Sequence, residues 1–268
     1  MAYVDKQTQS GKVVKLKDYK KKVRRNRRRR RIFFALLILI ALICFLMVAP
    51  FFNIKTGENG TVQVVGNQSV PAEEILTAAG VSQGDNIFRF NTSRAKAQIE
   101  AIPYILEVQL TRKFPNVLLI TVTERTVFAS VYYREHYYYL DRYGQVLEAH
   151  DAAPSEGAPL VIGANIAAAE TGQVLQLQEE RQLSDLLALF GELDKLHMQE
   201  KITYIDVTDA DKLTITVKDQ LEVLVGDSSN LEYKLGFLML EAYEYLGDSA
   251  SGTMDVSGGK RAVYKEKK

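Results

Sequence analysis

Residues 32–52, IFFALLILIALICFLMVAPFF, form an unbroken apolar run with no charged side chain. As a helix rising ~1.5 Å per residue, this run is about 31 Å long, close to the ~30 Å hydrocarbon thickness of a bilayer. KKVRRNRRRRR, residues 21–31, stands directly before it. A spanning helix with a dense basic block on one flank keeps that flank in the cytoplasm. The sequence therefore predicts a single-pass membrane protein with a small inside and a large outside. A cleaved signal peptide would have an apolar stretch of about 7–15 residues and a small-x-small cleavage site. Here the run is longer and Leu46–Pro50 is a poor site, so residues 32–52 read as an uncleaved anchor.

The net charge of +1 conceals two opposed segments. Residues 1–31 carry 14 Lys/Arg against 2 Asp/Glu, whereas residues 32–268 carry 20 against 31. The basic tail suits anionic lipid headgroups and, being polar and aperiodic, reads as disordered. The arginine run has no interleaved aromatics and abuts the membrane, so it reads as a topology signal and not as a nucleic-acid site. The acidic exported part also disfavours nucleic acid. Cys44, the sole cysteine, lies inside the anchor, so the exported part has no disulfide.

Beyond a polar spacer at 53–60, two domains are expected. In residues 61–127, Thr61–Val65 reads as a strand. Pro71, Glu73 and Glu74 open a helix that Gly80 ends. GDNIFRFN (84–91) reads as a loop burying Ile87, Phe88 and Phe90. Asn91 or Thr92 caps a second helix bearing Ala95, Ile99 and Ile102. Leu106, Val108 and Leu110 alternate with Glu107, Gln109 and Thr111, and Leu118, Ile120 and Val122 alternate with Leu119, Thr121 and Thr123, the two strands joined by a Lys113–Asn116 turn. Two helices over a three-stranded sheet, in the order β-α-α-β-β, make a small two-layer domain.

Residues 128–268 read as a strand-rich α+β domain. Strands are expected at 127–133, 136–140, 145–148, 202–207, 213–217, 221–225, 253–257 and 261–265. An amphipathic helix is expected at 178–197, with Leu183, Leu186, Leu187, Phe190 and Leu193 on one side. A second is expected at 229–246, with Leu231, Leu235, Leu238, Met239 and Ala242.

Catalytic chemistry is not apparent. His136, His150 and His197 lack ligand spacing. Asp206, Asp209 and Asp211 lack the Gly and Glu of a calcium loop and read as a solvated turn. Tyr132, Tyr133, Tyr137, Tyr138 and Tyr139 suit half-buried strands. No nucleophile motif or phosphate loop is present. These readings point to no enzyme, no cofactor and no metal. What remains is binding. The last strand, Arg261, Ala262, Val263, Tyr264 and Lys265, lies near the chain end, where strands are often sheet edges open to another strand. Alternatively, its Arg and Lys guard the edge against aggregation.

Several phrases carry a resemblance: VQVVGNQSVPAEEI (62–75), GDNIFRFN (84–91), IEAIPYILEVQLTRKFPNVLLITVTERTVFA (99–129), YYLDRYGQVL (138–147) and MDVSGGKRAVYK near the end. Together they resemble the bacterial FtsQ/DivIB family of division proteins, and 61–127 resembles a POTRA domain. Thr126 stands where that family usually has Pro. The resemblance implies a non-enzymatic scaffold of the division septum that binds the bitopic proteins FtsL and FtsB/DivIC. It further implies a role in organising the septal peptidoglycan synthase complex. It also implies that Arg261, Ala262, Val263, Tyr264 and Lys265 pair with a partner strand, with Tyr264 as an aromatic anchor. A POTRA-bearing translocation accessory is the alternative, although such proteins usually repeat the unit ahead of a β-barrel. A membrane-anchored cell-wall enzyme would need a catalytic cleft that the sequence does not display.

Overall fold

In the computed structural model, residues 16–57, 60–153, 157–247 and 249–267 are described. Helix α1, Leu16–Val48, is 33 residues long and runs into a short 3-10 turn at Ala49–Phe52. Its apolar half makes a candidate membrane span, Arg27–Phe52, with no residue of the window buried. The helix begins well upstream of the apolar run, so residues 16–31 of the expected disordered tail are helical. Lys and Arg are good helix formers, and the apolar run supplies a nucleus from which the helix extends. Residues 1–15 of that tail lie outside the described residues.

The expected spacer is not a spacer. Ile54, two residues past the 3-10 turn, is fully buried in the core of the first domain. Its N–H donates to Asp85 O at 2.7 Å, and its carbonyl accepts Gly84 N at 3.0 Å. One apolar side chain in a polar stretch carries no periodicity, which hid this anchor from sequence reading.

The first domain comprises β1 Val62–Val65, α2 Ala72–Ala79, α3 Thr92–Glu100, β2 Ile105–Lys113 and β3 Val117–Glu124. The sheet order is β1-β3-β2, with β1 parallel and β2 antiparallel to β3. Gly80 ends α2 in the left-handed region, where glycine is favoured. The Asn91 side chain accepts from Arg94 N at 3.0 Å to cap α3. Two details depart from expectation. A bulge between Ile105 and Glu107 shifts the pleat, so Ile105 and Val108 are buried while Leu106 is half-exposed. Phe88, expected inside, is 57% exposed.

The second domain holds β4 Ala129–Tyr133, β5 His136–Leu140, β6 Val146–His150, β7 Leu160–Ile162, β8 Ile166–Ala168, β9 Gln176–Leu177, α4 Glu180–Lys195, β10 Ile202–Asp206, β11 Leu213–Val217, β12 Leu221–Gly226, α5 Leu240–Leu246, β13 Gly252–Asp255 and β14 Val263–Glu266. Nine of these strands form one sheet in the order β14-β13-β12-β11-β10-β7-β4-β5-β6, and β8 and β9 pair separately. The three-residue β7 is the keystone, parallel to both β10 and β4. It is too short to show a period, and sequence reading missed it. Just beyond it, at Gly163, an added Cβ would lie 2.0 Å from Thr208 Oγ1 and φ is +75°, so only glycine fits.

The helices cover one sheet face. α4 contributes Leu186, Leu189, Phe190 and Leu193 to the core. The segment before α5, Glu232–Met239, is a π-helix. Along it and into α5, Leu231, Leu235, Met239 and Tyr243 are buried at every fourth residue. Ala242, expected on that stripe, is only half-buried.

The edge strand as candidate docking site

The terminal strand is the outermost of the nine. Whether its free side can accept a partner depends on which backbone groups point outward. β13 pairs parallel with β12 and antiparallel with β14. Gly252 N donates to Gln220 O at 2.9 Å and Val256 N to Leu224 O at 3.0 Å, so even-numbered residues of β13 face β12. Thr253 and Asp255 therefore face β14, opposite Lys265 and Val263. Lys267 N donating to Ser251 O at 3.2 Å continues that phase. The N–H and C=O groups of Tyr264 and Glu266 consequently point away from β13, toward an edge that no strand among the described residues occupies.

Side chains follow the same alternation. Tyr264 is half-buried against the core, and its hydroxyl donates to Ser251 O at 2.7 Å. Its ring is thus committed inward, not displayed as the expected aromatic anchor. Val263 is 51% exposed, and Lys265 is exposed beside it on the helix-free face. Arg261 and Ala262 precede β14 and are not part of it; Arg261 is exposed and Ala262 packs on the core. Glu266, which sequence reading left out, belongs to the strand. The missed signal was the alternation itself. Placing the hairpin symmetrically about Gly258–Gly259 starts the strand two residues early, whereas Val263, Lys265 exposed and Tyr264 inward fix its register.

The helix-free face carries a lateral row. Tyr204 stands opposite Thr216, Thr216 opposite Glu222, Glu222 opposite Thr253, and Thr253 opposite Lys265. Toward the far edge, Tyr204 pairs with Leu160, Leu160 with Ser130, Ser130 with Tyr139 and Tyr139 with Glu148. From Tyr204 to Lys265 the row is polar and aromatic, which keeps that part of the face wettable and leaves Val263 as an apolar point at its rim, whereas Ser130 is buried and Leu160 half-buried toward the far edge. At Gly252 an added Cβ would lie 2.2 Å from Lys265 O, and φ is +124°. Only glycine lets β14 lie against β13 here.

The residues weighed for catalysis are dispersed. His136 pairs with Asp151 at 2.8 Å and His150 with Glu148 at 2.9 Å, both on exposed ground. The Asp211 backbone N–H, and then the Lys212 ammonium, donate to Asp209 and hold its carboxyl below the usual range. Among the described residues, no group of three or more His, Cys, Asp or Glu side chains is placed to hold a metal ion.

Comparison with known proteins bears on both domains. The family described as "POTRA domain, FtsQ-type" matches residues 60–125, and that described as "Cell division protein FtsQ/DivIB, C-terminal" matches residues 129–242. The β13–β14 edge lies beyond residue 242. The chain is 26% identical over 221 residues to the cell division protein DivIB of Clostridium tetani, covering 82% of this chain and 80% of that one. It is 28% identical over 229 residues to the DivIB of Clostridium botulinum, covering 84% and 87%. Against the DivIB of Geobacillus kaustophilus the identity is 26% over 220 residues, covering 80% and 79%.

Proposed function

The chain belongs to the FtsQ/DivIB family of cell-division proteins, and from that premise we propose that it is a non-enzymatic scaffold anchored by α1. Its N-terminus is cytoplasmic, its two domains lie outside, and β14 is the strand to which bitopic partners of the FtsL and FtsB/DivIC kind are added. The scaffold sits at the division septum and holds those partners in register with the peptidoglycan synthase. The observation that supports this most is the outward phase of the Tyr264 and Glu266 backbone at the edge of the sheet. An incoming strand there gains main-chain hydrogen bonds from Tyr264 and Glu266, with Val263 as a small apolar contact and Lys265 attracting acidic side chains. The basic block before the span fits the proposed sidedness.

A photo-crosslinking amino acid at Lys265 in growing cells tests the reading. A DivIC- or FtsL-like adduct is expected from Lys265 and not from Tyr245, which is 90% exposed elsewhere on the domain. Equal yields at both positions, or no such adduct at Lys265, would remove β14 as the docking strand.

A further inference from the structure

Three phenylalanines gather where the span meets the first domain. The Phe52 and Phe88 rings lie 5.1 Å apart, and those of Phe88 and Phe114 stack at 5.1 Å with 25° between planes. Phe88 and Phe114 are 57% and 62% exposed, and Phe51, next to Phe52 in the chain, is 68% exposed. Large aromatics so exposed on the rim of a small domain cost solubility unless something apolar covers them.

The backbone shows what stands next to them. Ile87 N donates to Phe52 O at 3.0 Å, and Asn53 forms a bridge with Asn86. Asn116 Nδ2 donates to Asn53 O at 3.3 Å, tying the β2–β3 turn to the same residue. With Ile54 buried in the core, both aromatic-bearing loops are fastened within two residues of the end of the candidate span at Phe52. No slack separates helix from domain. One ring-to-ring step of 5.1 Å keeps Phe88 within the headgroup region, which is roughly 5–8 Å deep on each side of the hydrocarbon, and the second step of 5.1 Å takes Phe114 no farther than about its outer boundary. Lys55, Arg89 and Lys113 flank these aromatics in sequence and are exposed, matching phosphate headgroups in charge.

We infer that the Phe88–Phe114 rim is a lipid-contacting surface that seats the first domain on the bilayer where the span emerges. This rests on reading α1 as a membrane span. The seat adds a lipid contact to the direct junction of helix and domain. It limits the directions in which β14 can be presented, because both domains then follow the helix axis.

The chain contains no tryptophan, so single-tryptophan variants report position directly. Phe88→Trp and Phe114→Trp are made in the full chain, reconstituted in phosphatidylglycerol/phosphatidylcholine vesicles with lipids brominated high on the acyl chain and, in parallel, with lipids brominated deep on it to read the mid-span position. Tyr245→Trp serves as the aqueous reference and Leu42→Trp as the span reference. The expected result is quenching in the Phe88→Trp and Phe114→Trp variants at least about twofold stronger than in Tyr245→Trp, with blue-shifted emission, as for interfacial aromatics. If the variants at Phe88 and Phe114 behave like the one at Tyr245 while the one at Leu42 is quenched, the seat is wrong and the span stands. If the Leu42 variant is not quenched either, the span reading fails and the seat falls with it.

Discussion

The guanidinium of Arg125, on the segment leaving β3, pairs with the carboxylate of Asp141 in the β5–β6 turn and so bolts the first domain to the second. Asp141 is 2% exposed. Its other oxygen accepts the N–H groups of Tyr143 at 2.9 Å and Gln145 at 2.8 Å. Arg125 also donates through Nε to Ile105 O at 3.3 Å. Beside this pair, Tyr104 donates its hydroxyl to Glu148, and burial together with that carboxylate pushes the phenol upward from its ordinary value. Gln145 Nε2 reaches Pro103 O at 3.4 Å. The interdomain angle is therefore set by an ion pair between half-buried Arg125 and buried Asp141 and by two further hydrogen bonds.

Removing one partner of a buried pair leaves the other charge uncompensated, which costs about 3–5 kcal/mol. Asp141→Ala and Arg125→Ala are each expected to lower the unfolding free energy by about 3 kcal/mol. The double variant should lose less than the sum, with a coupling of roughly 1 kcal/mol or more. Denaturant titration of the full chain in detergent measures this. Additive losses would mean the two residues act apart.

Acid should loosen the fold in a defined window. Glu124 accepts backbone N–H groups from Gln68, Ser69 and Val70 at 2.9, 2.7 and 3.0 Å. Its burial opposes ionisation, but these bonds outweigh burial and hold its carboxyl below the usual 4.5. Lys234, with Ser229, holds Asp227 down to about 2 from the usual 3.8. For a carboxylate depressed on folding, the contribution is complete above the unfolded value and is lost as pH falls through the folded one. Stability should thus be flat above about pH 5 and fall steadily below about pH 4. In Glu124→Gln the fall should be shallower, read as denaturation midpoints across that range. An unchanged slope would show that Glu124 does not supply it.

Gln182 on α4 is buried and ties three backbone groups. Its Oε1 accepts Asn165 N at 3.0 Å, and its Nε2 donates to Gly163 O at 3.0 Å and Val207 O at 2.8 Å. Gln182→Leu keeps much of the volume but orphans these groups, each worth roughly 1–3 kcal/mol when unsatisfied. A loss of about 3 kcal/mol is expected. Arg181→Ala, whose side chain is 63% exposed, should shift stability by less than about 1 kcal/mol. Thermal melts of the two variants separate these outcomes.

Local rules carried much of the fold into the sequence. Gly80, Asn91 and the alternation of Leu118, Ile120 and Val122 mark their elements because cap chemistry and a one-sided sheet act over a few residues. What failed was non-local. Leu106 loses its inward place to a bulge, and β7 gains its central position only through pairing with distant β4 and β10. Phe88 looks like core in any window, and only its neighbours Phe52 and Phe114 reveal it at a rim. The candidate site was half legible. The chain end does form an edge strand, but Tyr264 turns inward because β13 crosses over to pair parallel with β12, which sets the phase of β14. A proline at Val263 would consequently break the bond to β13 instead of the outward edge.

The decisive measurement is the affinity of the full chain in nanodiscs for the extracytoplasmic segment of a DivIC-like partner, comparing wild type with Glu266→Pro and Glu266→Ala. Proline at an outward edge position removes one free donor while leaving the pairing with β13 intact. Docking at β14 predicts at least about tenfold weaker binding for Glu266→Pro, with Glu266→Ala within about threefold of wild type. Wild-type affinity in the proline variant would contradict strand addition at this edge.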